Sequence, residues 1–148
     1  MSTFHITEVK PEHLDAIKAI ENKSFSLPWT FSQLGNQMNN ENCIFLVALN
    51  DGGEVCGYIG CQTVLDEGYI SNIAVAPVCR KNGVADALLT ELKRLTILKK
   101  LAFLTLEVRE SNIPAISLYR KHSFSLVGRR EGYYDKPKEA ALLLTCFL

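Results

Sequence analysis

Residues 73–85 read Ile-Ala-Val-Ala-Pro-Val-Cys-Arg-Lys-Asn-Gly-Val-Ala, which indicates a strand, a short basic loop and the start of a helix. The β-branched run 73–75 is followed by Pro77, which has no N–H to donate to a neighbouring strand. From Val84 onward the apolar residues recur at helical spacing. The first N–H groups of a helix lack partners within it and lie at the positive end of its dipole, so the loop is suited to hold phosphate.

The remaining sequence predicts an α/β fold with a mixed sheet and helices on both of its faces. The expected order of elements is β-α-α-β-β-β-α-β-α-β-β, because apolar runs and turn signals alternate in that order. Two late strand–helix–strand crossovers require helices that cover the sheet. The strands are expected at 4–9, 44–49, 55–65, 68–75, 102–108, 125–130 and 140–147, and the helices at 11–27, 31–38, 83–99 and 112–121. We expect one domain over residues 1–148, since no linker or repeat interrupts the pattern.

Cysteine usage and hydropathy predict a cytoplasmic protein with no metal. The chain has 5 cysteines, an odd number with no Cys-x-x-Cys pair, which favours free thiols in a reducing compartment. No apolar run approaches the ~20 residues needed to cross a bilayer, and the first residues lack the features of a secretion signal. The histidines His5, His13 and His122 have no metal-ligand spacing.

The formal net charge of zero hides an asymmetry between the two halves of the chain. Residues 1–79 carry three basic and nine acidic side chains, and residues 80–148 carry thirteen basic and seven acidic ones. A basic half suits a polyphosphate ligand and an acidic half suits a cationic partner, although chance clustering on solvated faces explains the pattern equally well. Nucleic acid is not expected as a partner, because the chain as a whole is not basic.

The loop expected to hold phosphate is part of a longer motif, which indicates its ligand. The chain reads Val75-x-Pro77-x-x-Arg80-x-x-Gly83-x-Ala85-x-x-Leu88-Leu89. Between a strand and an amphipathic helix, this motif resembles the acyl-CoA pyrophosphate loop of the GNAT superfamily of acyl-CoA N-acyltransferases. The resemblance covers essentially the whole chain and implies a splayed central sheet flanked by helices. Most members have Gly where this chain has Ala85, and Ala is an accepted variant there.

A narrower resemblance rests on several short segments. They read Val-Leu-Asp-Glu at 64–67, Asn-Ile-Ala-Val at 72–75, Leu-Glu-Val-Arg at 106–109, Ser-Asn at 111–112, Ala-x-x-Leu-Tyr at 115–119 and Tyr-Tyr at 133–134. Together with Pro28-Trp29 they resemble the bacterial ribosomal-protein-alanine N-acetyltransferases. This resemblance implies an enzyme that uses acetyl-CoA to acetylate the N-terminal alanine of a small-subunit ribosomal protein, by direct attack in a ternary complex.

The same resemblance assigns roles to particular residues. It implies that Glu107 is the general base and Tyr119 the general acid. Trp29, Tyr133 and Tyr134 are expected to contact the acceptor. The residues expected to hold acetyl-CoA are Ile73, Ala74, Val75, Arg80, Lys81, Asn82, Gly83, Val84, Ala85 and Asn112.

Simple chemistry is compatible with these roles but leaves alternatives open. An acceptor amine must be neutral to attack, and an α-amino group with a pKa of about 8 is far easier to deprotonate than lysine at about 10.4. Strand alternation places Glu107 at the carboxyl end of its strand, where open α/β sheets bind ligands. Glu107 could instead form an ion pair with Arg109 or Arg120. Tyr119 could be a core anchor with its hydroxyl at the rim.

The same ambiguity applies to the expected acceptor contacts. Tyr133 and Tyr134 line a cleft or merely pair across strands, and Trp29 is a loop wall or a lid on the core.

Two rival functions also remain. One is acetylation of a small-molecule amine or a lysine side chain, and the other is a non-catalytic acyl-CoA-binding module. We expect a monomer or weak homodimer with no membrane association.

Overall fold

The structure, a computed structural model, describes residues 4–135 and 137–148 and confirms the predicted order of elements. The strands are β1 His5–Glu8, β2 Cys43–Leu49, β3 Val55–Val64, β4 Glu67–Val75, β5 Phe103–Arg109, β6 Ser125–Tyr134 and β7 Glu139–Phe147. The helices are α1 Leu14–Ser24, α2 Phe31–Asn39, α3 Val84–Leu98 and α4 Ile113–Lys121. Two of their starts follow from capping: Thr30 and Gln33 form a reciprocal capping box on α2, and the Asn112 side chain accepts from the Ala115 N–H on α4.

The sheet has seven strands in the order β1-β2-β3-β4-β5-β7-β6. All neighbours are antiparallel except β4 and β5, which are parallel and pair only from Glu67–Phe103 to Tyr69–Thr105. Beyond these three pairs the two strands no longer hydrogen-bond, so a gap opens between their carboxyl ends. The mixed sheet is therefore as the sequence predicted, and the splay is as the family resemblance implied.

Two buried clusters cover the two faces of the sheet. Alternation in β2 shows the division, since Leu46 faces one cluster and Phe45 and Val47 face the other. The larger cluster lies under α3 and α4 and includes the fully buried Leu88, Leu89 and Leu92 of α3 with Leu104 and Leu144 of the sheet. The smaller cluster lies under α1 and α2 and includes Ile17, Leu34 and Tyr58.

Three boundaries differ from the sequence-based expectation by three residues or more, and one of them is the end of α1, which lies at Ser24 rather than at residue 27. Pro11 opens a single 3-10 turn, Pro11–His13, and α1 begins only at Leu14. The His13 Nδ1 accepts from the Lys10 N–H at 2.9 Å, which stabilises the tighter turn. Strand β6 continues to Tyr134 rather than ending at Arg130, because Gly132 takes a φ of +61° and lets the irregular strand pair again with β7.

All five cysteines are free thiols, as expected. Within residues 4–135 and 137–148, no group of three or more His, Cys, Asp or Glu side chains could hold a metal ion. No helix in that part of the chain is long and apolar enough to cross a membrane.

Candidate active site

The loop between β4 and α3 has the backbone shape that an anion site requires. Its 3-10 turn, Pro77–Cys79, leads into Lys81 and Gly83, which have φ values of +67° and +79°. Gly83 is the N-cap of α3, and no side chain caps that end of the helix. The first N–H groups of α3 therefore have no side-chain acceptor at the positive end of the helix dipole.

A cavity of about 350 Å³ lies against this loop. Six of the predicted cofactor residues line it, namely Val75, Arg80, Lys81, Gly83, Val84 and Ala85. The other lining residues are Cys79 and Asp86 from the loop and α3, and Pro114 and Leu118 from α4. Loop and α4 thus form two walls of one cavity.

The remaining four predicted cofactor residues lie outside this lining. Ile73 and Ala74 are in β4, along the stretch that no longer pairs with β5. The Asn82 side chain donates to the Cys79 carbonyl at 3.3 Å and so supports the loop. The Asn112 carboxamide oxygen is used as the α4 cap at 3.3 Å, which gives it a role in the helix rather than on the cavity wall.

Glu107 lies near the carboxyl end of β5, beside the gap between β4 and β5. Its side chain is 28% exposed and its Oε1 is 3.7 Å from Arg130 Nη1. The Tyr133 hydroxyl hydrogen-bonds to the same carboxylate, which raises the pKa of that phenol. The ion pair expected as the alternative role of Glu107 is therefore present, but its partner is Arg130 rather than Arg109 or Arg120, and Arg109 pairs with Glu139 at 3.2 Å.

Tyr119 is buried on α4, with only 5% of its surface exposed. Its ring packs against Phe124 with centroids 5.7 Å apart, within the larger cluster. Burial, followed by the influence of Tyr134, raises the pKa of the phenol well above its usual value. Its hydroxyl makes no hydrogen bond to the rest of the described chain. Tyr119 is therefore anchored as a core residue and keeps a protonated, uncommitted hydroxyl.

Tyr133 and Tyr134 join these two residues into one group. Their rings meet edge-to-face at 5.0 Å, and the Arg109 guanidinium lies 4.3 Å from the Tyr134 ring centre. Burial and the nearby Glu107 carboxylate raise the pKa of Tyr134 to about 12. The Glu107 carboxylate raises the pKa of Tyr134, and Tyr134 in turn raises the pKa of Tyr119, so Tyr134 is an electrostatic neighbour of both predicted catalytic side chains.

A fold with this motif and these side chains has known counterparts. The family model described as acetyltransferase (GNAT) family matches residues 14–124, which is more than half of the chain. The chain belongs to the GNAT acetyltransferase family.

Individual GNAT relatives extend the similarity to nearly the full length. The ribosomal protein bS18-alanine N-acetyltransferase of Haemophilus influenzae is 35% identical over 147 residues, covering 97% of this chain and 98% of the relative. The enzyme of that name from Escherichia coli K12 is 32% identical over 129 residues, covering 87% and 86%. The crystal structure of the Escherichia coli ribosomal-protein-S18-alanine N-acetyltransferase superposes with a TM-score of 0.90 at 28% identity, covering 98% of this chain and 94% of that one.

Several residues of this GNAT site were missed by sequence reasoning. Arg130 was not expected beside Glu107, because β7 lies between β5 and β6 and the contact depends on the irregular course of β6. Glu139 accepts hydrogen bonds from the Ser111 N–H at 3.1 Å, from the Ser111 hydroxyl at 3.0 Å and from Arg109. These bonds join the start of β7 to the loop before α4. These hydrogen bonds and the Arg109 guanidinium outweigh burial and lower the pKa of Glu139. No local sequence pattern marks such long-range pairs.

Proposed function

We propose that this chain transfers the acetyl group of acetyl-CoA to the N-terminal α-amino group of a protein, namely the N-terminal alanine of a small-subunit ribosomal protein. The observation that carries the proposal is Glu107 at the open end of β5, beside the gap and in contact with Tyr133. Relatives named for this reaction, similar over nearly the whole chain, support the choice of acceptor. The proposed place of action is the cytoplasm.

Glu107 is proposed as the general base. The amine nitrogen must lose a proton as it attacks the thioester carbon, and a carboxylate at the rim of the gap can accept it directly or through one water. An α-amino group has a pKa of about 8, so roughly a tenth is already neutral at pH 7. The base therefore removes a proton that is only weakly held, and the partly exposed setting of Glu107 suffices.

Tyr119 is proposed as the general acid. When the C–S bond breaks, the departing thiolate needs a proton. Because its pKa of about 8.5 lies below that of a phenol, the transfer from Tyr119 runs uphill and is completed only when the phenolate regains a proton. Burial keeps the Tyr119 phenol protonated, so the proton is present when the thiolate forms. After the transfer, the amine proton is on Glu107 and the phenol proton is on sulfur, and the cycle closes when Glu107 releases its proton and the Tyr119 phenolate takes one up from solvent.

The residues along the cavity fit acetyl-CoA. The uncapped N-terminus of α3, with Arg80 and Lys81, supplies positive charge for a pyrophosphate. The unpaired edge of β4 at 73–75 offers backbone groups to the pantetheine arm and one N–H to the thioester oxygen. Trp29, Tyr133 and Tyr134 remain the proposed acceptor contacts.

An acceptor assay tests the function directly. We expect thiol release from acetyl-CoA with an eight-residue peptide that begins with Ala and has a ribosomal sequence. The same peptide with a blocked N-terminus and one internal lysine should give no release above background. Turnover only with free polyamines or with the blocked peptide would favour the small-amine or lysine alternative. Acetyl-CoA binding with no turnover of any amine would favour the non-catalytic module.

The shape of the phosphate loop makes a separate prediction for Gly83. A side chain at a φ of +79° is strained by about 1–2 kcal/mol. Open space around Gly83 means that sterics add nothing to this strain. In Gly83→Ala the free loop should relax away from this strained conformation, which acetyl-CoA binding must then restore. We therefore expect acetyl-CoA binding to weaken about tenfold, measured by calorimetry. Gly53→Ala is the matched control, because Gly53 has a φ of +80° and equally open space but lies in the β2–β3 turn. Equal losses of affinity in both variants would refute a specific role of the Gly83 conformation.

A further inference from the structure

A fully buried carboxylate lies under the acceptor side of the site. Glu21 is 0% exposed, although the other acidic residue of its helix, Asp15, faces solvent. It follows Ile17 by four residues, and Ile17 is also fully buried, so both side chains point from α1 into the sheet. A buried carboxylate is costly unless several donors satisfy it, so its contacts define its role.

Three donors from three different elements meet the Glu21 carboxylate. The Tyr58 hydroxyl of β3 donates to Oε1 at 2.7 Å, and the Asn72 amide of β4 donates to the same oxygen at 3.0 Å. The backbone N–H of Trp29 donates to Oε2 at 3.0 Å. No cation pairs with Glu21 among the ion pairs of the described residues. The carboxylate is thus held by neutral donors alone.

These donors lie on the two sides of the proposed reaction centre. Trp29 belongs to the loop between α1 and α2, which is the proposed acceptor wall. Asn72 lies in β4 three residues beyond Tyr69, the last residue that pairs with β5, and it precedes the 73–75 edge proposed to hold the thioester. Glu21 therefore ties the acceptor wall to the thioester strand through two hydrogen bonds.

We propose that Glu21 is a positioning residue that sets the distance between the acceptor wall and β4. This inference rests on the proposed function, since it concerns the same site. The backbone N–H of Trp29 is held only as long as Oε2 accepts from it, so loss of the carboxylate releases the loop. The chemical groups that react are untouched, and the acceptor amine is simply presented less well.

The only tryptophan of the chain provides a readout that does not depend on activity. In Glu21→Ala we expect stronger acrylamide quenching of Trp29 fluorescence, at least a tenfold rise in KM for the Ala-starting peptide, and an unchanged Kd for acetyl-CoA. In Glu21→Gln the quenching and the peptide KM should both lie between the wild-type and Glu21→Ala values, because the glutamine amide retains one acceptor oxygen. Ile17→Val is the matched control for stability: its unfolding temperature should fall, while KM and quenching stay at the wild-type values.

A purely structural role would change the amount of folded protein but not the peptide KM. If Glu21→Ala keeps the wild-type quenching and peptide KM, the proposal is wrong. If Glu21→Ala does not fold, Tyr58→Phe tests the proposal instead, because it removes one donor to the Glu21 carboxylate. We expect it to raise the peptide KM about threefold and to increase the quenching of Trp29. Unchanged quenching would overturn the proposal. If wild-type protein acetylates no peptide, the proposed function fails, yet the quenching series still tests the Glu21 anchor.

Discussion

Glu107→Gln is expected to lower kcat/KM for an Ala-starting peptide by at least about 10²-fold at pH 7, the usual scale of general-base catalysis. Glutamine keeps the shape of the side chain and can accept from Tyr133, but it cannot take a proton from the amine. The residual rate should rise with pH as the α-amine, with a pKa of about 8, loses its proton without help. Initial rates of thiol release from pH 6 to 9 would show the gap between the two enzymes narrowing.

The control for this experiment is Glu91→Gln. Glu91 is also a partly buried glutamate in an ion pair, but its partner is Arg94 on the outer side of α3. We expect its rate profile to match the wild type, and both variants should bind acetyl-CoA with wild-type affinity. Full activity of Glu107→Gln across the pH range would remove Glu107 from the role of base.

Tyr119→Phe is expected to lower kcat by about 10²-fold, again the scale of acid catalysis, with an unchanged Kd for acetyl-CoA. Only the hydroxyl is lost, because the phenylalanine ring can keep its packing against Phe124. The leaving thiolate must then be protonated by water. An acetyl donor whose thiol has a much lower pKa should restore most of the lost rate, since its thiolate needs no acid.

Tyr69→Phe is the matched variant for this test. Tyr69 lies on β4 and its hydroxyl bonds to Glu67 at the opposite, paired end of the β4–β5 junction. Loss of the Tyr69 hydroxyl should leave kcat within twofold of wild type. If Tyr119→Phe shows the same small change, Tyr119 is a core residue and the proton for sulfur comes from elsewhere.

Local signals in the sequence were enough to predict most of the fold. Thr30 with Gln33 and Asn112 with Ala115 mark helix starts through contacts within one turn, so their roles are readable from spacing. The phosphate loop is similarly local, because one strand, one glycine with positive φ and one helix N-terminus form it. The order of helices and strands along the chain then follows from these helix N-termini and from the spacing of apolar residues between them.

The site depends on contacts that span the chain, and these were predicted less well. Arg130 reaches Glu107 only because β6 is irregular after a bulge, and the sequence shows no such bend. Glu21 looks like one more solvated acid on an amphipathic helix, although its spacing from Ile17 hinted at a buried face. Its partners Tyr58 and Asn72 lie 37 and 51 residues away, and that distance conceals the cluster.

The short pairing of β4 with β5 has a consequence for the whole molecule. Three residue pairs join the two parts of the sheet, so backbone groups beyond Tyr69 and Thr105 lack the partners that a complete ladder would give them. A ligand that bonds to this edge in the folded state alone adds its binding free energy to the free energy of unfolding. The thermal stability of this protein in a cell should therefore follow the acetyl-CoA concentration around it.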